Sequence, residues 1–328
     1  MACKSIARTT IALGILAGSH GHVVAHDLSS VSAQHAGSDA SLPVGDGRVS
    51  TDAPQTGYVY SCTSDFRTGG ARHYGEWLRQ GRWFPDEKVV VSGEKSWPEA
   101  YFEMVADKSS ITVKMNSLPT NHPTGTFPIA RSDPAYQYDT NPNPIAAQAL
   151  ELMIPAQPSF ASEPGCLRRG MIGFTVNGVA LYNALDDAGL DAAAHEVQDA
   201  CAGHPSGRGQ YHYHAGAPCI PGIKENAIIG WAIDGFPIMG LSGGEGQAFT
   251  NSDLDECHGH AQQIAIDGRN YSYAYRVTAE YPYTLGCYKG TILRGTNRQI
   301  REGLNTRRIR GAAGGNRERQ PRDQRRRD

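Results

Sequence analysis

The chain has 328 residues, 39% of them hydrophobic and 20% charged, with a formal net charge of −2; that length buries the core of one large domain or two ordinary ones. The charge is unevenly placed. From Leu304 onward nine arginines face three acids, a net of +6, and with Lys4 and Arg8 also set aside, residues 26–303 carry about −10, which argues against nucleic acid as the main partner.

The chain opens on MACKSIARTTIALGILAGSHGHVVAHD. Lys4 and Arg8 precede a short apolar run over residues 11–17, and Val-Val-Ala ends at Ala25. This is the layout of a secretory signal peptide, residues 1–25, and it predicts a secreted or periplasmic protein. The run is too short for a bilayer span, and no later segment approaches ~20 apolar residues, so no transmembrane segment is expected. Cleavage after Ala25 would expose His26, whose amine and imidazole together suit copper. Residues 26–56 are rich in Ser, Ala, Gly and Asp with little apolar periodicity, and read as a flexible leader.

From Gly57 the texture changes to short aromatic and β-branched runs, among them GYVYSC, KVVVSG, SITVKM and YSYAYRVT, each bounded by turn residues. They predict a mainly β, sandwich-like domain over residues 57–295. IGFTVNGVALYN from Ile172 aligns without gaps to IGWAIDGFPIMG from Ile229, and Asn-Gly or Asp-Gly inside each is a hairpin signal. Residues 191–201, DAAAHEVQDAC, have the Ala content and acidic start of the one short helix. Cys201-Ala-Gly-His204 then parallels Cys257-His-Gly-His260, YHYH from Tyr211 parallels YAYR from Tyr273, and Cys219 parallels Cys287. These parallels predict two pseudo-repeated units, about residues 166–219 and 220–290. The tail, residues 296–328, reads as a disordered Arg-rich extension.

Apart from Cys3, the cysteines number six, an even count that in an exported chain favours three disulfides. Equivalent halves make Cys201 with Cys219 and Cys257 with Cys287 the simplest pairing, leaving Cys62 for Cys166; six cysteines permit 15 connectivities, so this rests on the symmetry alone.

On a strand alternate side chains share a face, so His212 and His214 point one way and Tyr211 and Tyr213 the other. Two imidazoles on one face suit one metal ion; His204, just before the strand, supplies a third, and His260 is its counterpart with His258 two residues before it. With the cysteines in disulfides the shell is histidine-only, which suits a divalent transition metal such as zinc or copper. A hydrogen-bonded structural cluster and a metal-free acid/base site are the competing readings. The second half has Ala274 and Arg276 in place of the histidine pair. Either one site has lost its ligands, or both halves converge on one ion held by His204, His212, His214 and His260, with Arg276 beside it to hold a small anionic ligand. His195 and Asp199, four apart on the expected helix, form a candidate pair orienting an imidazole. Glu196 is a candidate general base on a metal-bound water. Asp234 suits turn chemistry or the same base role, and His122 lies in a Pro/Gly loop of the kind that carries binding residues. No nucleophile elbow, phosphate loop, dinucleotide fingerprint, His-Glu-x-x-His or EF-hand pattern occurs.

The chain resembles the YHYH domain family of exported proteins. The resemblance is carried by NHPTGTFP from Asn121, NGVALYNALDDAG from Asn177, AHEVQDACAGHP from Ala194, GQYHYH from Gly209, GWAIDGFPIMG from Gly230, DLDECHGH from Asp253 and YPYTLGC from Tyr281, over roughly residues 58–290. It departs at YAYRVT, where similar proteins often show a second Tyr-His-Tyr and this chain has Ala274. The resemblance implies an exported domain with an unusual His/Tyr site, and no particular reaction. Three functions follow as expectations: an exported metal-binding protein, a secreted metal-dependent enzyme in which a carboxylate such as Glu196 or Asp234 takes a proton from a metal-bound water, or a structural or adhesive module without metal. Oligomeric state is not legible.

Overall fold

Asn177-Gly178 and Asp234-Gly235 close two hairpins at the centre of the largest sheet. In each turn only the glycine has positive φ, +78° at Gly178 and +91° at Gly235, and Gly178 N donates to Thr175 O while Gly235 N donates to Ala232 O. These are type I turns closed by a left-handed glycine, which need positive φ at one position rather than the two expected from the dipeptides.

The structure is a computed structural model that describes residues 41–66, 74–243 and 246–302. The expected signal peptide, His26, the leader up to residue 40 and the tail beyond residue 302 lie outside the described residues; residues 296–302, expected to be disordered, are helical and packed on the body, with Ile300 buried in the core and Thr296 Oγ1 donating to Met153 O.

The chain is mainly β, arranged in several sheets. We number the strands of the eight-stranded sheet alone: β1 (Met171–Thr175), β2 (Ala180–Tyr182), β3 (Gly203–Pro205), β4 (Tyr211–Tyr213), β5 (Ile228–Ala232), β6 (Pro237–Met239), β7 (Gly259–Ile266) and β8 (Arg269–Arg276). Their spatial order is β3-β4-β2-β1-β5-β6-β8-β7. β1 and β5 meet antiparallel at the centre, with Phe174 opposite Trp231. Outward from them, β2 pairs β4 in parallel with Leu181 opposite Tyr213, and β6 pairs β8 in parallel with Ile238 opposite Tyr275. A three-stranded antiparallel sheet of Phe102–Ala106, Ser110–Met115 and Leu150–Pro155 supplies a second apolar face, with Ile111, Val113, Met115, Leu152 and Ile154 all buried in one core with Phe174 and Trp231.

Residues 41–56, expected to be mobile, are tied into this body. Leu42–Pro43 pairs with Arg82–Trp83 and Val49–Ser50 with Val59–Tyr60. Gly45 N donates to Asp191 Oδ2 at 2.8 Å. Paired strands therefore precede the change of texture at Gly57, and they are too short to leave a periodic trace in the sequence.

The helix expected over residues 191–201 is one turn, α1 (Ala192–His195), capped by Asp191, whose side chain accepts from Ala194 N. Glu196 is already extended, φ −77° and ψ 141°. Val91 N donates to Gln198 O, and Val91 bridges Asp199. This tertiary pairing draws the chain straight and overrides the local propensity of the alanines. Disulfides join Cys62 to Cys166, Cys201 to Cys219 and Cys257 to Cys287.

Candidate metal centre

β3 and β4 run antiparallel with His204 opposite His212, and His214 follows on the same face just beyond β4. The three imidazoles are buried, with ring centroids 4.5, 5.4 and 4.8 Å apart for the pairs 204–212, 204–214 and 212–214. One nitrogen from each lies within 4.8 Å of the others. The tyrosines take the opposite face: Tyr211 OH donates to Asp199, and Tyr213 OH lies 2.7 Å from His122 Nε2 and accepts from Asn177 Nδ2. The alternation along YHYH thus separates a histidine face from a tyrosine face.

The ring orientations are fixed from behind. His212 Nδ1 lies 3.0 Å from Gln210 O and His214 Nδ1 lies 2.6 Å from Asn183 O. A carbonyl only accepts, so each Nδ1 carries the proton and each Nε2 presents a lone pair. These two Nε2 atoms face each other at 3.0 Å. Tyr182 stacks on His212 with centroids 3.8 Å apart, its hydroxyl donating to Gln210 Oε1. Among the described residues neither nitrogen of His204 has a hydrogen-bond partner. Burial pushes His204 and His212 well below the usual imidazole range and His214 down to about 4. All three are neutral at neutral pH.

Glu196 enters the same cluster from the end of α1. Its Oε2 lies 3.3 Å from both His204 Nε2 and His214 Nε2 yet makes no hydrogen bond. Burial, followed by the charges of Asp186 and Asp139, pushes its carboxyl well above the usual range. Beside the cluster a cavity of about 540 Å³ is lined by the three histidines and Glu196 together with polar groups including Asn141, Asn183, Asp186 and Asp187.

Other sequence candidates fall elsewhere. His260 is on β7, the opposite edge of the sheet from His204 on β3, and is not grouped with the three histidines; the single centre built from both halves does not form. His258 is buried with Nε2 3.0 Å from Thr278 Oγ1. His122 is on the tyrosine face, and the cysteines near it, Cys201 and Cys219, are bonded to each other. His195 meets Asp46 at 2.9 Å rather than Asp199, since the helix ends before residue 199. Asp199 instead accepts from Gly125 N, Cys201 N, Gly203 N and Tyr211 OH. Asp234 accepts from Tyr275 OH and Gly290 N in the other half of the sheet. Arg276 is internally bonded, with no N–H group left for an anionic ligand. Sequence reasoning missed Tyr182 and the carbonyls of Gln210 and Asn183; a Tyr-Asn pair ending a strand gives no local sign of stacking on a histidine 30 residues away.

Residues 151–248, which contain Glu196 and all three histidines, match the family model described as YHYH protein. Neither a curated protein nor a solved structure matches the chain.

Proposed function

We propose, from the family match and the geometry of the cluster, that this is an exported metal-binding protein holding one divalent transition ion, zinc or copper, through His204, His212 and His214. The observation that carries the reading is the 3.0 Å approach of His212 Nε2 to His214 Nε2 with both Nδ1 protons committed to carbonyls. Two neutral lone pairs at that distance repel unless a cation lies between them, and burial disfavours a shared proton. An ion accounts for both: nitrogens bound at 2.0–2.1 Å to a tetrahedral zinc lie roughly 3.3 Å apart. The backbone carbonyls then act as the outer partners that fix tautomer and ring direction. The nitrogens of His204 and Oε2 of Glu196, which have no hydrogen-bond partner among the described residues, complete a set of buried groups able to bind an ion. The three disulfides fit an oxidising compartment, and among the described residues no helix is long and apolar enough to cross a membrane.

The cavity beside the cluster favours a second reading, a metal-dependent enzyme. The three histidines would hold the ion and leave it a position for a water, whose acidity the metal would raise. Glu196 is placed to accept its proton.

Elemental mass spectrometry on protein made without a His-tag in an exporting host tests the binding. One equivalent of a single metal, absent from a folded His212→Ala, His214→Ala double variant, is the expected result. No metal in either protein, and none acquired on titration with zinc and copper, overturns it. Hydrolysis of activated esters or phosphoesters by the loaded protein, lost in Glu196→Gln, would select the enzyme.

A further inference from the structure

Outward from Phe174 and Trp231, the two halves of the large sheet repeat the same contacts. β1-β2-β4-β3 and β5-β6-β8-β7 each pair antiparallel, parallel, then antiparallel. His204 opposes His212 in the first half, and His260 opposes Ala274 in the second. Asp199 Oδ1 accepts from Cys201 N, Gly203 N and Tyr211 OH; Asp255 Oδ1 accepts from Cys257 N, Gly259 N and Tyr273 OH. Between these donors Ala202 and His258 both hold positive φ, 56° and 68°. Conformations that non-glycine residues rarely adopt, at corresponding positions of two turns, are hard to reach by chance.

From this we infer that the second half carries a counterpart of the metal centre in which the guanidinium of Arg276 stands in for the ion. The inference rests on the metal reading of the first half. In the correspondence His260 takes the place of His204, Ala274 that of His212, and Arg276 that of His214. Asn183 O, which accepts from His214 Nδ1, corresponds to Gly240 O, which accepts from Arg276 Nη1 at 3.2 Å. Arg276 Nε donates to His260 Nε2 at 3.3 Å. The remaining N–H groups reach Ser242 O at 3.0 Å, Asn226 Oδ1 at 2.8 Å and Gln262 Oε1 at 2.8 Å, and the ring of Phe249 lies 4.5 Å from the guanidinium carbon. The side chain is buried with no carboxylate among these partners. A buried cation surrounded by an imidazole nitrogen, carbonyl oxygens and an aromatic face is met by acceptors as a bound ion would be, but it is covalently attached and cannot dissociate.

The test restores the ligands. The full chain with Ala274→His and Arg276→His is compared with wild type for zinc stoichiometry, and Arg276→His alone for the rise in thermal midpoint on adding zinc. Two equivalents in the double variant against one in wild type, or a larger zinc-induced rise in Arg276→His than in wild type, is expected. A double variant recovered folded only when zinc is present supports the inference equally. One equivalent in the double variant with no added rise in the single variant, or no folded protein with or without zinc, overturns it. Wild-type protein that binds no zinc or copper would overturn the reading of the first site whatever the variants do, so the two failures are separable.

Discussion

Asp199→Ala tests how the site is delivered. The carboxylate is 3% exposed and accepts from Gly125 N at 2.9 Å, Cys201 N at 2.9 Å, Gly203 N at 3.1 Å and Tyr211 OH at 2.9 Å. Two of those donors lie in the turn that leads into His204 on β3. Alanine leaves four buried donors unpaired, each costing about 1–3 kcal/mol. Part of that is offset because the charge itself is no longer buried; burial, the leading cause, already pushes the Asp199 carboxyl up. The net loss should be about 4 kcal/mol, a large share of a typical total of roughly 5–15 kcal/mol. Denaturant unfolding with disulfides intact and chelator present measures it without a contribution from bound metal. Zinc affinity of the same variant, measured under native conditions, should fall as His204 loses its fixed position. A loss below about 1 kcal/mol, or an unchanged zinc affinity, would refute the claim that this carboxylate organises the turn.

Glu196→Gln keeps the shape and removes the ionisable carboxyl 3.3 Å from two of the imidazoles, whose charged form a bound cation would favour against burial; zinc affinity should drop by about 10–100-fold, and equal affinity in a competition titration would place Glu196 outside the ion's reach. Burial raises the Asp191 carboxyl to about 6 against its ordinary 3.8, so folding favours its protonated form. The stability this gives is fully present below about pH 4 and lost as pH rises through 6, by up to about 3 kcal/mol. Asp191→Asn cannot titrate: the stability of wild type minus that of the variant should fall between pH 4 and 6.5 and be flat above, whereas a constant difference in pH-dependent denaturation would show that Asp191 is not perturbed.

The histidine face was legible because its cause is local. Period-two alternation puts His212 and His214 together whatever the rest of the chain does, and the Cys-x-Gly-His turn marks His204 by its spacing. Glu196 was harder to place: the alanines before it propose a longer helix, which would have carried residues 195 and 199 to one side. Pairing with Val91, more than 100 residues earlier, straightens the chain instead and turns Glu196 toward the imidazoles. Asp46 was hidden for a related reason, since the two-residue strands around it leave no pattern while its bond to His195 spans 149 positions. Arg276 was visible as a substitution in the parallel half, but the five acceptors that enclose it come from three separate segments, so its enclosure could not be read in one dimension.

The strand that delivers His204 is also an outer edge of the sheet, and edges are where one chain can add itself to another. β3 is only three residues long and ends in Pro205, which has no N–H to offer a further strand. The opposite edge, β7, is eight residues long, but its register breaks between Ala261 and Ile264, and such an irregularity twists an edge away from flat stacking. The molecule can therefore keep the strand that carries His204 at the rim of the sheet without making it a template for aggregation.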